Sequence, residues 1–178
     1  MTDGAEGVYR LPLLSQMAED VETRGSLRRS TAAAMWSAYV THTAVTAWTL
    51  GRRADRLPVP PGVARVAGAV LATAGAGLCI AGTGRFSGVA ELTGTRSETL
   101  LTNGIYQYSR NPQYLGYLVA LTGAGLARRS VGAIISTAGL GLVYSAWIPV
   151  EERHLTGLYG QEYTGYTRRT LRWWGRRQ

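Results

Sequence analysis

The sequence predicts an all-α fold: a polytopic membrane helical bundle of four transmembrane helices followed by a C-terminal amphipathic helix. Two observations predict it. The stretches Ser30–Gly51, Val66–Gly84, Asn111–Ala127 and Ser130–Val150 contain no Asp, Glu, Lys or Arg. Each is fenced by arginines or, at Val150, by the pair Glu151 and Glu152. A spanning helix needs about 20 mainly apolar residues, with a range of roughly 17–25, and all four stretches fit it. The mean hydropathy of -0.04 is low for a membrane protein. Thr, Gly and arginine pull that average down, however, while the polarity stays apart from the apolar runs. Small residues are tolerated inside membrane helices, where they permit close packing. The 178 residues allow one ordinary domain.

Residues 1–29 read as an N-terminal tail or a short surface helix carried by Leu11, Leu13, Leu14 and Met17. Residues 30–178 read as a single membrane domain, and its first span covers about 30–50. Trp36 and Trp48 lie near the ends of that span, where indole rings favour the interface. Arg52-Arg53 ends it, and Leu57-Pro58-Val59-Pro60-Pro61-Gly62 forms a stiff extended turn into the second span, about 63–83. A substantial loop follows over 83–110. Pro112 suits the first turn of a helix, where its missing amide would be unpaired anyway, so the third span covers 111–127. Arg128-Arg129-Ser130 is a tight hairpin into the fourth span, 130–150, with Pro149 marking a kink. That helix is expected to continue through Glu151-Glu152-Arg153-His154-Leu155. Residues 161–178 are expected to form a basic, aromatic surface helix with Tyr163, Tyr166, Trp173 and Trp174 at the interface.

The formal charge is +8, and every one of the 19 basic residues is an arginine. They sit in ones and twos at the ends of apolar runs and form no continuous basic face, which argues against nucleic acid as a partner. The lone Cys79 excludes an internal disulfide, has no His or Cys neighbours for a metal, and reads as a small buried apolar side chain. Residues 1–29 contain acids and arginines and lack the continuous apolar core of a cleavable signal, so the first span is expected to direct insertion. Four spans put both termini on one side. Most arginines lie there, but the arginines nearest the span ends are balanced, Arg28-Arg29 against Arg52-Arg53. Cytoplasmic termini are mildly favoured. Oligomeric state is not legible in the chain.

A three-residue hairpin makes the third and fourth helices antiparallel neighbours and returns the chain to its starting side. Tyr106, Arg110, Asn111, Tyr114, Glu151, Glu152 and His154 should therefore meet on one membrane face, and this convergence is the argument for a site. The planar fork of Arg110 suits a carboxylate or phosphate. Asn111 offers a donor and an acceptor, or caps the helix before Pro112. The acidic pair suits hydroxyls, an amine or a positively charged ligand in a poorly solvated pocket. Mid-span His42 needs hydrogen-bond partners, from Thr41, Thr43 or another helix, and packing is its expected role.

The run Leu101-Thr102-Asn103-Gly104-Ile105-Tyr106, continued by Arg110-Asn111-Pro112-Gln113-Tyr114-Leu115-Gly116, resembles a signature of the integral-membrane methyltransferases, the isoprenylcysteine carboxyl methyltransferase and phospholipid methyltransferase group. Glu151-Glu152, Leu155, Tyr159-Gly160, Tyr163 and Tyr166 are similar to its second signature. The resemblance covers about residues 85–174. It implies S-adenosylmethionine as cofactor, a hydrophobic or lipid-like acceptor entering from the bilayer, and membrane lipids as surroundings. It also implies that Tyr106, Arg110, Asn111, Pro112, Tyr114, Glu151 and Glu152 shape the cofactor site. Tyr163 and Tyr166 would close over that site, and Arg168 or Arg169 would orient the tail or the acceptor. The prenylcysteine enzymes typically carry His where this chain has Asn111, which weakens the prenylcysteine reading more than the methyltransferase one. Tyr159 replaces a common Phe, and Arg172-Trp173-Trp174 replaces a Pro-containing ending.

Transfer would be direct displacement at the sulfonium methyl, with the protein supplying alignment. A carboxylate acceptor needs no base; an amine or hydroxyl needs Glu152 or His154 to accept a proton. Arg110, Glu152, His154 and Arg169 are thus the candidate catalytic residues, and no metal is expected. The competing readings are a non-enzymatic lipid-binding or small transporter-component protein and, more remotely, a soluble helical enzyme.

Overall fold

The computed structural model describes residues 11–52, 56–85 and 100–177. The first ten residues of the expected tail and most of the expected 83–110 loop lie outside the described residues, as do 53–55. Among the described residues all regular structure is helical: α1 (Pro12–Arg24), α2 (Arg29–Gly51), α3 (Pro61–Thr83), α4 (Pro112–Arg128), α5 (Val131–Tyr159) and α6 (Gln161–Arg169), with a 3-10 turn at Gly104–Gln107. Extended pairing is limited to two isolated bridges, Arg56 with Ser130 and Thr170 with Arg176.

Two of these helices, α3 and α5, are long and apolar enough to cross a membrane. Their apolar side chains face outward: Val66 is 68 % exposed on α3 and Leu142 is 74 % exposed on α5. A soluble core helix would bury such residues, so the arrangement marks a membrane protein. On α2, Val40, Val45 and Trp48 are exposed in the same way.

The tightest contact is a backbone-to-backbone seam between antiparallel α3 and α4. Gly68, Gly75 and Gly82 recur every seven residues on α3; Gly68 meets Gly123, Gly75 meets Gly116, and Gly82 meets Gln113 at the start of α4. A Cβ added at Gly75 would lie 2.2 Å from the Ala120 nitrogen, and one at Gly123 would lie 2.3 Å from the Ala72 nitrogen. Only glycine lets two membrane helices approach so closely. Lacking a hydrophobic drive in lipid, helices associate by such packing and by hydrogen bonds between polar side chains. The second device holds α2 to α5: His42 Nε2 lies 3.3 Å from the Ser136 carbonyl, and Thr46 Oγ1 lies 2.9 Å from Ser136 Oγ. His42 thus finds its partners on another helix.

The hairpin between α4 and α5 turns on Arg129, whose φ of 56° is left-handed, and Ser130 caps α5 by accepting the Ala133 amide. Pro149 sits inside α5, and the helix runs on through Tyr159, past the charge-free stretch that ends at Val150.

Both chain ends depart from a simple surface arrangement. Helix α1 buries Leu14, Met17, Ala18 and Val21 against Leu27, Ala32, Trp147 and Val150, so it packs on the bundle. The spacing of those four residues gives one apolar helix stripe. Its exit is fixed by Asp20, which pairs with the Arg28 guanidinium at 2.7 Å and accepts the Arg28 amide at 3.0 Å. At the other end the expected helix over 161–178 stops at Arg169. Beyond it the chain folds back: Leu171 donates to the Gly175 carbonyl, Gly175 to the Tyr108 carbonyl, and Arg110 to the Leu171 carbonyl. Gly175 holds φ at 124°, which a side chain would resist. Tyr163 and Tyr166, read from their aromatic character as interface residues, are only 3 % exposed and pack on Tyr106.

Candidate active site

Helix α2 leans on α5 and leaves a cleft beside the α3–α4 pair. A cavity of about 770 Å³ fills this cleft. Its size lies within the roughly 300–1,000 Å³ of small-molecule sites. One end is polar, bordered by Arg110, Asn111, Glu151, Glu152 and His154. The other is apolar and lies between Trp36, Val40, Ala44 and Ala47 of α2 and Cys79 of α3. Tyr106, Tyr114, Tyr163 and Tyr166 border the cavity between them, and Val21, Gly25 and Leu27 close it from the α1 side.

The 3-10 turn and the start of α4 present the first group of residues. Tyr106 is buried, and its hydroxyl donates to Gln113 Oε1 at 3.2 Å and to the Gly82 carbonyl at 3.4 Å. Tyr166 donates to the Tyr106 carbonyl at 2.7 Å, fastening α6 over the turn. Asn111 precedes α4 without capping it by its side chain. Its amide instead donates to the Arg172 carbonyl at 3.1 Å, so the residue ties the returning tail to the site. Pro112 is fully buried at the first turn, as its fixed φ and absent amide allow.

The end of α5 supplies the acids. Glu152 is held by two arginines: Arg110 Nη2 reaches Oε1 at 2.8 Å and Arg172 Nη2 reaches Oε2 at 2.6 Å. The Arg110 and Glu152 side chains are only 12 % and 18 % exposed, so their attraction is weakly screened. The hydrogen bonds to Glu152 raise the pKa of Arg172. Glu151, one residue past the charge-free part of α5, accepts from the Tyr114 hydroxyl at 3.4 Å. Removal from water pushes its carboxyl up to about 7 despite that hydrogen bond, and the neighbouring Glu152 charge adds to the rise. Burial lowers His154, so its imidazole is neutral at physiological pH. The His154 Nε2 atom is buried without a partner, and so is Arg110 Nε.

The structure therefore gathers Tyr106, Arg110, Asn111, Tyr114, Glu151, Glu152, His154, Tyr163 and Tyr166 around one cavity. Arg168 and Arg169 are exposed and do not border it. The tail arginine that pairs with Glu152 is Arg172. The sequence reading treated Arg172 as a tolerated replacement; its signal was an arginine beside two tryptophans and ahead of a glycine able to reverse the chain. Gln113, Val21 of α1 and Gly25 just after that helix also border the cavity, and the apolar stripe of α1 is their signal in the sequence.

The phospholipid methyltransferase family model matches residues 62–162, from the start of α3 to the start of α6. The chain belongs to the phospholipid methyltransferase family. The match takes in the α3–α4 seam, Arg110, Asn111 and both acids, while Tyr163, Tyr166 and Arg172 lie just beyond it.

Individual relatives agree with this membership. The chain is 33 % identical over 96 residues to the cobalt-zinc-cadmium resistance protein CzcN of Cupriavidus metallidurans, covering 53 % of this chain and 44 % of that protein. It is 30 % identical over 88 residues to the protein-S-isoprenylcysteine O-methyltransferase of Schizosaccharomyces pombe, covering 47 % of this chain and 36 % of that one. It is 31 % identical over 71 residues to the protein-S-isoprenylcysteine O-methyltransferase B of Arabidopsis thaliana, covering 39 % and 36 %. The chain thus spans under half the length of these relatives. No solved structure matches it.

Proposed function

We propose that this protein transfers a methyl group from S-adenosylmethionine to a hydrophobic, lipid-like acceptor at the membrane face. One observation carries the reading: a single cavity joins the polar end at Arg110, Glu151, Glu152 and His154 to an apolar arm between α2 and α3. A charged donor and a lipid-like acceptor need two such environments in contact.

The residues fit the donor. Arg110 has a buried Nε with no partner, able to receive a carboxylate, and the acids suit an ammonium, ribose hydroxyls or a sulfonium. When bound, S-adenosylmethionine supplies an electrophilic methyl group on a positively charged sulfur. Arg110, fixed by Glu152, holds the donor's carboxylate end, and Tyr106 and Asn111 keep Arg110 and the tail in register. Glu151 offsets positive charge where water is scarce. Tyr163 and Tyr166 exclude solvent, and burial pushes both hydroxyls above their ordinary range, so they stay neutral. Glu152 is occupied by two guanidiniums and acts as a positioning group. His154 is neutral with a buried Nε2 lacking a partner, which makes it the better proton acceptor for an amine or hydroxyl. A carboxylate acceptor needs none.

In this reading α2, α3, α4 and the part of α5 up to Val150 are four spans, Glu151 onward emerges from the membrane, and both termini and the donor site face the cytoplasm. Helix α4 has 17 residues, at the short end for a span, and α2 has 23. Calorimetry of S-adenosylmethionine with the detergent-purified chain, alongside Glu151→Ala/Glu152→Ala, tests the donor site. Binding lost in the double variant supports the reading and leads to a labelled-methyl screen over membrane lipid extracts. A folded, monodisperse wild type that binds nothing, with and without lipid extract, overturns it and favours a non-enzymatic lipid-binding protein.

A further inference from the structure

Arg110 borders a second, shallower cavity of about 420 Å³, together with Leu171, Arg172, Trp173, Trp174 and Arg177. Glu152 borders only the large cavity and Arg172 only the small one, so the Arg110–Glu152–Arg172 trio forms the partition between them. Three guanidiniums face the small cavity. Among the described residues Glu152 is the sole carboxylate paired with any of them, and the Arg177 guanidinium has no partner. The cavity therefore carries excess positive charge.

The groups around it are fixed in place. Arg177 donates its amide to the Arg169 carbonyl at 2.9 Å, and Gly175 donates to Tyr108 at 2.7 Å. Trp174 is 54 % exposed yet stacks on Tyr108 with ring centroids 6.0 Å apart, and Trp173 packs towards Leu140, Tyr144 and Ile148. A planar guanidinium fork matches a phosphate in two-point contact. An exposed indole such as Trp174, next to arginines at the polar end of a membrane bundle, belongs at the depth of lipid headgroups.

We infer that this small cavity binds the phosphate of an anionic phospholipid headgroup, at a site separate from the methyl-transfer cavity. The Arg177 fork takes the phosphate oxygens, joined by the guanidinium edge of Arg172 that Glu152 leaves open, while Trp174 lies along the glycerol and upper acyl region. No methyl donor enters this binding, so the inference stands or falls apart from the proposed activity.

Native mass spectrometry of the full chain, released from detergent after titration with phosphatidylglycerol or with diacylglycerol of the same acyl chains, tests it. Wild type should retain phosphatidylglycerol over diacylglycerol by about tenfold, the anionic phosphoglycerol headgroup being the difference between them. Arg177→Gln should reduce that preference by about threefold to fivefold, as expected for one partly exposed charge contact. Arg177→Lys, which keeps the charge and loses the fork, should fall between them. Equal retention of the two lipids, or a preference untouched in a folded Arg177→Gln, would overturn the site. Displacement of the lipid by millimolar inorganic phosphate would overturn the lipid assignment in favour of free phosphate.

Discussion

Arg172 donates to both oxygens of Glu152, from Nε at 3.1 Å and from Nη2 at 2.6 Å, across a separation of 20 residues. Arg110 shares the same carboxylate. One acid thereby joins the last part of α5 to the segment leading into α4 and to the returning tail. Arg110 borders the large cavity and Arg172 belongs to the returning tail, so the loss of Glu152 should be felt in both stability and ligand affinity.

Glu152→Gln leaves two guanidiniums facing a neutral amide. Hydrogen bonds to charged groups are worth about 1.5–3 kcal/mol each, and partial exposure screens the Arg172 contact, so a loss of about 2 kcal/mol is expected. Thermal unfolding in detergent should show a lower Tm, and calorimetry should show S-adenosylmethionine affinity reduced by about tenfold or more.

Arg172→Ala removes one of those partners, whereas Arg169 is exposed and borders neither cavity. Donor affinity should fall several-fold in Arg172→Ala and stay near wild type in Arg169→Ala. Calorimetry on the pair decides which tail arginine serves the site. The reverse order would restore the role that the sequence resemblance gave to Arg169.

Glu151 carries a sign that can be worked out. Its carboxyl is raised from 4.5 to about 7 in the folded protein, so between those values the folded state binds more protons than the unfolded one. The contribution of this residue to stability is therefore greatest below 4.5 and declines as pH rises through about 7. Affinity for a positively charged donor should move oppositely, increasing from pH 6 to pH 8 as the carboxylate forms. Glu151→Gln should flatten both trends, measured by unfolding and by calorimetry across that range.

The glycine seam gives a packing test. Gly75→Val drives a side chain into the Ala120 backbone and should cost about 3 kcal/mol or more, because backbone cannot step aside. Gly77 has open space around its Cβ position, and Gly77→Ala should be neutral or up to about 1 kcal/mol stabilising. Unfolding temperatures of the two variants in one detergent separate close packing from simple helix propensity.

Much of this was legible in the chain. Charge-free runs fenced by arginines marked the four long helices, two of which are long and apolar enough to cross a membrane. Pro112 and Arg128-Arg129-Ser130 marked the ends of α4, because proline and a left-handed turn act within a few residues. The convergence of Arg110, Asn111, Glu151, Glu152 and His154 followed from one short hairpin. Helix α1 was harder to read: its apolar stripe suits a membrane surface as well as a protein one, and only Trp147 and Val150 beneath it decide between them.

The sequence by itself determined the helices and which end of the bundle gathers Arg110, Asn111, Glu151, Glu152 and His154, since both follow from local composition and chain reversal. Tertiary structure alone decided the α3–α4 seam, the packing of α1 beside the cavity, and the pairing of Arg172 with Glu152. The physical reason is distance along the chain. A helix is written in contacts four residues apart, whereas an ion pair across 20 residues depends on how Gly175 and Tyr108 turn the tail back.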